Sequence, residues 1–267
     1  MKVTLLGCGG SPGVPSISHG WGACDPAEPR NRRRRVSVLV EARATRVLID
    51  TSPDLRAQLL DAGVRHLDGV IWTHGHADHL HGIDELRGIN RAMNAPLPVW
   101  ADAETLSIIR QRFGYVFEPL DHSLANYYKP VLEPTVIEGP FTVGRLPVVP
   151  FRQHHGFSET LGLRFGAFAY STDVVQLDEA AFAALAGIDV WVVDCFRIAP
   201  GHLTHSWVER TLGWIDRVRP RRAILTHMGE DLDYQTLRQT LPPGVEPGYD
   251  GMEIDVPDQP VRAILTS

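Results

Sequence analysis

A histidine-rich turn carries the residues of this chain whose types and spacing best suit metal binding. Within six positions the sequence places His74, His76, Asp78 and His79. Alternate residues point the same way where the backbone is extended or tightly looped, so His74 and His76 can face one ion while Asp78 and His79 reach a second. Imidazole suits zinc and its first-row neighbours, and a carboxylate ligand lets manganese compete. The spacing therefore predicts a metal site and leaves the metal open.

Three further candidate ligands follow predicted strands downstream. His155, Asp173 and His227 each come just after a short apolar segment. Strand ends on one edge of a layered fold converge, so residues remote in sequence can share a site. Alone, each residue would be interpreted as a turn cap or a hydrogen-bonded core residue, whereas together they complete an arrangement for two ions. His154 competes with His155 for the ligand role.

The composition limits the class of protein. The chain has 267 residues, 43% of them hydrophobic, which is enough for one large core, and we expect one domain over residues 1–267. With a formal net charge of -6, the chain lacks the overall positive charge of proteins that bind long nucleic acid, so no such partner is expected. No apolar run suggests a signal peptide or a membrane span. The cysteines are few and far apart, which fits a reducing cytoplasm; they are Cys8, Cys24 and Cys195.

The order of the predicted elements indicates an α/β fold. Strands are predicted over residues 3–6, 36–40, 47–49, 69–72, 97–100, 141–151, 161–165, 168–171, 189–193, 223–226 and 261–265. Helices are predicted over residues 52–63, 83–93, 103–113, 178–186, 206–218 and 234–241. Ser52 is expected to cap the first helix, and Ser206 with Glu209 to form a capping box at the fifth. Strands grouped early and again late predict two sheets packed face to face and covered by helices.

The histidine-rich turn, taken with the three downstream ligands, resembles the metallo-β-lactamase superfamily over nearly the whole chain. The resemblance implies a four-layer αβ/βα sandwich with the site at one edge between the sheets. It also implies two divalent ions per chain, zinc or manganese. One ion would be held by His74, His76 and His155 and the other by Asp78, His79 and His227, with Asp173 as the bridge. Asp50 matches the family's supporting aspartate, which orients ligands, although it also suits a turn cap.

Three other segments resemble the phosphodiesterases that open phosphoribosyl 1,2-cyclic phosphate in the carbon-phosphorus lyase pathway: residues 6–15, 194–206 and 248–253. This resemblance implies a small, cyclic ribose or nucleotide phosphodiester, hydrolysed by water that two ions activate. His205 matches the catalytic histidine and would stabilise charge or protonate the leaving alkoxide, and Asp78 is the second catalytic candidate. His205 lies beside the expected cap at Ser206, where a helix N-terminus attracts phosphate. The alternative is a solvent-facing neighbour of that cap. His202 has a weaker claim, and substrate-binding residues are unknown.

One departure from these phosphodiesterases concerns a structural zinc. They carry several cysteines after the glycine-rich loop that hold this ion together with a later histidine. Here Cys24 stands alone and Glu230 takes the histidine's place. A structural zinc normally needs four ligands, so no separate structural zinc is expected.

Other functions remain open from sequence. An RNA-processing nuclease of this superfamily shares most ligands, but the chain shows no inserted basic arm. Residues 52–59 resemble a pyrroloquinoline quinone biosynthesis protein, whose altered metal motif disagrees with the intact cluster here. A non-catalytic metal-binding or nucleotide-binding protein is a further alternative. The arginine block at residues 30–35 either guides an anionic substrate or forms a solvated edge. A homodimer is one possible assembly, and the sequence does not give the oligomeric state.

Overall fold

The computed structural model describes residues 1–120 and 127–257. This part of the chain forms two seven-stranded sheets and seven α-helices. The predicted strand at residues 261–265 lies outside the described residues. None of the described helices has the length and hydropathy needed to cross a membrane.

The first sheet is built from the N-terminal half and one late strand. Its strands are β1 (Lys2–Gly7), β2 (Ser37–Ala42), β3 (Thr45–Ile49), β4 (Gly69–Ile71), β5 (Leu97–Ala101), β6 (Leu132–Val136) and β14 (Met252–Asp255), in the order β14-β1-β2-β3-β4-β5-β6. Pairing is antiparallel from β14 to β3 and parallel from β3 to β6. Sequence missed β6 and β14, because a central proline and short polar alternation weaken the strand pattern.

The second sheet is built from strands that follow one another in the chain. Its strands are β7 (Phe141–Val143), β8 (Leu146–His155), β9 (Ser158–Phe165), β10 (Phe168–Ser171), β11 (Val190–Asp194), β12 (Arg222–Thr226) and β13 (Val245–Pro247), in the order β13-β12-β11-β10-β9-β8-β7. The single strand predicted over residues 141–151 is divided at Gly144, whose φ of 55° makes a tight turn. The three-residue strand β13 was also missed.

The helices cover the outer faces of the two sheets. They are α1 (Leu55–Asp61), α2 (Ala77–Leu80), α3 (Leu86–Met93), α4 (Ala103–Phe113), α5 (Glu179–Leu185), α6 (Val208–Val218) and α7 (Tyr234–Thr240). The two serines expected as caps are not the cap residues, which are Asp54 for α1 and Trp207 for α6. Ser52 Oγ accepts the backbone N–H of Asp54 at 3.2 Å and donates to Gln58 Oε1 at 2.9 Å, just before α1 begins. Ser206 Oγ donates to the Asp194 carbonyl at 2.6 Å. Accordingly α1 and α6 begin later than predicted.

Two apolar clusters hold the layers together. Val38 and Val40 of β2 face the second sheet and pack in one cluster with residues such as Leu163. Leu39, between them, faces the other way and packs with Leu55 of α1. This alternation is the period of a strand that is buried on both faces. The resulting order of helices, sheet, sheet and helices confirms the predicted αβ/βα sandwich.

Candidate metal centre

Strands of the two sheets end at one edge of the sandwich and lead into the candidate site residues. β3 is followed by Asp50, β4 by the histidine-rich turn, β10 by Asp173 and β12 by His227, while His155 is the last residue of β8. Asp50, Asp173 and His227 adopt φ values of 61°, 51° and 57°. Residues other than glycine rarely adopt this left-handed conformation, so the surrounding structure must hold it. The backbone thus turns sharply where these side chains leave it.

The first group of candidate ligands consists of His74, His76, His155 and Asp173, whose ligand atoms all lie within 4.8 Å of one another. Nε2 of His74 and Nε2 of His155 lie 3.6 and 3.5 Å from Asp173 Oδ2. Nε2 of His74 also lies 2.9 Å from Nδ1 of His76. Burial lowers the pKa of each of these three histidines. They are therefore neutral near pH 7, the form that binds a metal.

The second group consists of Asp78, His79, Asp173 and His227, again within 4.8 Å of one another. Nε2 of His79 and Nε2 of His227 lie 3.0 and 3.2 Å from Asp173 Oδ1. The same two nitrogens lie 3.4 and 3.3 Å from Asp78 Oδ2. The two oxygens of Asp173 thus face different groups, which is the arrangement that a bridging carboxylate requires.

The donor atoms fit divalent metal binding. Both groups combine imidazole nitrogens with carboxylate oxygens, a set that suits zinc or manganese. Nε2 of His79 is buried and lies 3.0 Å from Asp173 Oδ1, but no acceptor among the described residues has hydrogen-bond geometry to it. A buried polar atom of this kind is costly unless something else satisfies it, and a metal ion would do so.

Asp50 lies directly behind the second group. Its carboxylate accepts hydrogen bonds from the backbone N–H and the hydroxyl of Thr73, each at 2.8 Å. Its Oδ2 lies 2.7 Å from Nδ1 of His79. These contacts fix the orientation of the His79 ring, so that Nε2 faces Asp78 and Asp173. Asp50 therefore occupies the position that the predicted supporting role requires.

His205 lies beside both groups. Its ring centroid is 4.8 Å from that of His155 and 4.6 Å from that of His227. Its Nδ1 lies 3.1 Å from Oδ2 of the fully buried Asp194. Burial lowers the pKa of His205, but the Asp194 carboxylate outweighs this effect and the pKa is raised to about 9. The expected helix terminus beside it is wrong, because α6 begins only at Val208.

Asp194 is the functional candidate that sequence reasoning missed as a site residue. It ends β11, which pairs with β10 on one side and β12 on the other. Those two neighbours lead to Asp173 and His227. The available signal was therefore an acidic residue at the end of an apolar strand, between two strands that were already linked to ligands.

The two adjacent histidines of β8 lie in different surroundings. His154 is exposed, and its backbone N–H donates to the Gln176 carbonyl at 3.1 Å. His155 points to the opposite side of the strand, where it is buried and joins the first ligand group. Its Nδ1 donates to the Thr204 carbonyl at 2.8 Å, which leaves Nε2 to face Asp173.

The loop around Cys24 is held by a buried guanidinium. Arg33, 2% exposed, donates to the carbonyls of Gly229 and Leu232 at 3.1 and 2.6 Å and lies 3.8 Å from Cys24 Sγ. Glu230, in the place of the family's histidine, lies 3.0 Å from Nδ1 of His19. Among the described residues, the candidate metal-binding groups do not include Cys24. Arg33 thus links this loop to the segment after His227.

The rest of the arginine block is largely paired within the protein. Arg30 binds Glu28, Arg35 binds Asp54, and Arg34 binds two aspartates. Arg32 lies over the ring of Trp21 at 5.0 Å. These contacts account for the block structurally, and they leave its predicted role in guiding substrate without specific support.

Comparison with known proteins identifies the family. The beta-lactamase superfamily domain matches residues 45–228, a span that contains both ligand groups. The chain therefore belongs to the beta-lactamase superfamily. Its fold and its His/Asp cluster are those of a metal-dependent hydrolase.

Two solved structures resemble the whole described fold. One is described as a new diphosphatase from the PhnP family, with 30% identity, a TM-score of 0.87, and coverage of 96% of this chain and 98% of that one. The other is Zn²⁺-bound PqqB from Methylobacterium extorquens, with 18% identity, a TM-score of 0.74, and coverage of 96% and 100%. The second likeness concerns the fold alone.

Curated relatives match by sequence over only part of their length. An octanoyltransferase of Porphyromonas gingivalis is 32% identical over 98% of this chain, but the match covers 53% of that protein. A ribonuclease Z of Bradyrhizobium diazoefficiens is 30% identical over 45% of this chain and 42% of its own length. Because the chain spans about half the length of the first relative, that protein's activity does not transfer to it.

Proposed function

We propose that the chain hydrolyses a small phosphodiester, such as a cyclic phosphate of ribose or of a nucleotide, with two divalent ions bound at the His/Asp cluster. The observation that carries the proposal is the position of Asp173 between the two ligand groups, with His205 beside both. The likeness to a PhnP-family structure and to ribonuclease Z proteins supports chemistry at phosphorus. The net charge of -6 supports a small substrate over long nucleic acid.

The proposed roles follow from the contacts. His74, His76 and His155 would hold one ion and Asp78, His79 and His227 the other, with Asp173 between them. When bound, the pair of ions would lower the pKa of a water molecule and would place positive charge near the phosphoryl oxygens.

Asp78 and His205 carry the proton chemistry of the proposal. Burial raises the pKa of Asp78, but His79 and His227 outweigh it and keep the pKa below its ordinary value. Asp78 therefore stays ionised and can orient the attacking water by accepting its hydrogen bond. His205 is anchored to Asp194 through Nδ1, so its Nε2 is available to deliver a proton to the leaving alkoxide.

The test is a substrate screen on protein of known metal content. Protein loaded with zinc or with manganese would be assayed with 2',3'-cyclic nucleotides, ribose cyclic phosphates and bis(p-nitrophenyl) phosphate. We expect hydrolysis of at least one diester that stops when a chelator removes the metal. Two bound ions without hydrolysis of any phosphoester would instead identify a binding protein.

A second candidate function is the hydrolysis of a diphosphate linkage, which the PhnP-family diphosphatase favours. Both reactions begin with attack on phosphorus, but the diphosphate releases a phosphate rather than an alkoxide. A phosphate leaving group needs less protonation, so this activity would depend less on His205. Parallel assays on a dinucleoside diphosphate, a precursor transfer RNA and a cyclic nucleotide would separate diphosphatase, nuclease and cyclic phosphodiesterase.

The three cysteines bear on the proposed location. Cys8, Cys24 and Cys195 are free and buried in the structure. Unpaired thiols are typical of proteins in a reducing compartment, and this supports the proposed cytoplasmic location.

A further inference from the structure

Two large apolar side chains stand in solvent beside the candidate metal centre. Phe157 is 87% exposed and Leu203 is 71% exposed. Phe157 lies in the turn between β8 and β9, two residues after His155, and Leu203 lies two residues before His205. Apolar area of this size gains free energy when it is covered, and a cluster of such area next to a site indicates a binding surface.

The two turns that carry these side chains touch each other. A Cβ atom at Gly156 would lie 2.6 Å from the Leu203 carbonyl oxygen and 2.9 Å from Cγ2 of Thr204. Only glycine permits so close an approach, and the φ of 71° at Gly156 also favours it. The bond from Nδ1 of His155 to the Thr204 carbonyl, at 2.8 Å, ties the same two turns together. Phe157 and Leu203 are therefore held on one surface that adjoins a ligand and His205.

His202 adds one hydrogen-bond donor to this surface. Its Nδ1 accepts the backbone N–H groups of His205 and Thr204 at 3.1 and 3.3 Å, so the proton of the neutral ring is on Nε2. The ring centroid lies 5.0 Å from that of His205. No residue in the described ranges accepts a hydrogen bond from Nε2. That N–H is thus available to a ligand that contacts His205.

We propose that Phe157, Leu203 and His202 form a subsite for the base of a nucleotide substrate. A base is a flat ring with an apolar face and polar edge atoms, which matches two exposed apolar side chains and one available donor on the same surface. The phosphate of the same substrate would lie at the His/Asp cluster. This inference rests on the proposed phosphodiesterase function, and it narrows the substrate class from cyclic phosphates in general to those that carry a base.

The first test compares two cyclic phosphates that differ only in the base. For wild type, kcat/KM for adenosine 2',3'-cyclic phosphate is expected to exceed kcat/KM for ribose 2,3-cyclic phosphate. In Phe157→Ala the ratio of the two values should fall at least about fivefold, the size of effect that follows loss of a base–aromatic stack. The control is Leu60→Ala, because Leu60 is 64% exposed on α1 and away from these turns. An unchanged ratio in Phe157→Ala would overturn the subsite.

The second test separates the two hydrogen-bonding functions of His202. In His202→Asn the side-chain oxygen can still accept the two backbone N–H groups, but no donor remains at the outer position of Nε2, because the amide NH2 takes the place of the ring Cδ2. In His202→Ala both functions are lost. We expect His202→Asn to keep the melting temperature of wild type and to show the same fall in the ratio as His202→Ala. Wild-type selectivity in His202→Asn would show that His202 only supports the loop.

A binding experiment tests the subsite even if no diester is hydrolysed. Metal-loaded wild type and Phe157→Ala would be titrated with adenosine 3'-phosphate and with inorganic phosphate by calorimetry. The subsite predicts that wild type binds the nucleotide more tightly than phosphate and that Phe157→Ala loses this difference. Equal differences in the two proteins would overturn it. Light scattering on the same samples tests whether a second copy of the chain covers this surface. If wild type is a dimer, and Phe157→Ala is a monomer with the nucleotide affinity of wild type, the surface is a dimer interface and the base subsite is wrong.

Discussion

Asp194 Oδ2 lies 3.1 Å from Nδ1 of His205 and also accepts, at 2.9 Å, the backbone N–H of Val174, which follows Asp173. One carboxylate oxygen thus fixes the proposed general acid and the segment that carries the proposed bridging ligand. The other oxygen of Asp194 is buried without a partner among the described residues. The position of His205 relative to Asp173 therefore depends on Asp194.

Asp194 is accordingly predicted to be a positioning residue. Asp194→Asn keeps the shape of the side chain but removes the charge that holds the His205 ring. We expect kcat for a phosphodiester to fall by at least about tenfold, part of the range that general acid catalysis contributes, while KM changes little. Steady-state kinetics with metal analysis would check this. A rise in KM at constant kcat would assign Asp194 to substrate binding instead.

His205→Ala is predicted to lose turnover while it keeps its metal. Removing the proton donor should lower kcat for an alkyl or ribosyl diester by about 100-fold to 10,000-fold. The loss should be smaller for bis(p-nitrophenyl) phosphate, whose leaving group departs as an anion without help. His66→Ala is a suitable control, since His66 has a side chain that is 53% exposed and pairs weakly with Asp68 at 3.9 Å. Equal losses on the two substrates would remove His205 from the role of proton donor.

Asp50→Ala is predicted to weaken metal binding although Asp50 is not itself one of the proposed metal ligands. Loss of the carboxylate frees the His79 ring to rotate, and such supporting groups typically change metal affinity by about 10-fold to 100-fold. Competition with a metal chelator would measure the change. Asp61→Ala is the matched control, because the Asp61 side chain is 68% exposed and pairs only with Arg34 in the described structure. Equal affinity in wild type and Asp50→Ala would mean that Asp50 only caps its turn.

A stability prediction concerns Asp233 at the start of α7. Burial raises the pKa of Asp233, but bonds from the backbone of Thr236 and from Asn31 outweigh it and lower the pKa to about 2. A carboxyl group with a depressed folded-state pKa stabilises the fold above its unfolded value of about 4, and this contribution is lost as the pH falls towards 2. Asp233→Ala should therefore cost about 0.5–2 kcal/mol at pH 7, as loss of a helix cap does, and progressively less below pH 4.

Urea denaturation of metal-free wild type and Asp233→Ala at several pH values would test the predicted loss of this stabilisation at low pH. Metal-free samples are needed because ligand protonation would otherwise release metal at low pH and add its own effect. A difference between wild type and Asp233→Ala that is constant from pH 7 to pH 3 would contradict the assignment.

The sequence predicted the sandwich because its strands carry local apolar patterns and its ligands follow them. Asp50, His155, Asp173 and His227 could be placed at one edge for that reason. The bond from the backbone N–H of Asp54 to Ser52 is local, and α1 begins only after it. The cap at Ser206 failed because its hydroxyl binds the Asp194 carbonyl, a partner that only tertiary structure brings near. Asp194 was missed for the same reason, since its contacts with His205 and Val174 span a loop and a neighbouring strand. Local pattern predicts elements, whereas competition between hydrogen-bond partners is decided in the folded state.

The most direct measurement is anomalous scattering from crystals grown with zinc or manganese. Two strong peaks are expected, one among His74, His76 and His155 and the other among Asp78, His79 and His227, with Asp173 in contact with each. A single peak, or peaks away from Asp173, would contradict the two-ion centre on which the proposed chemistry depends.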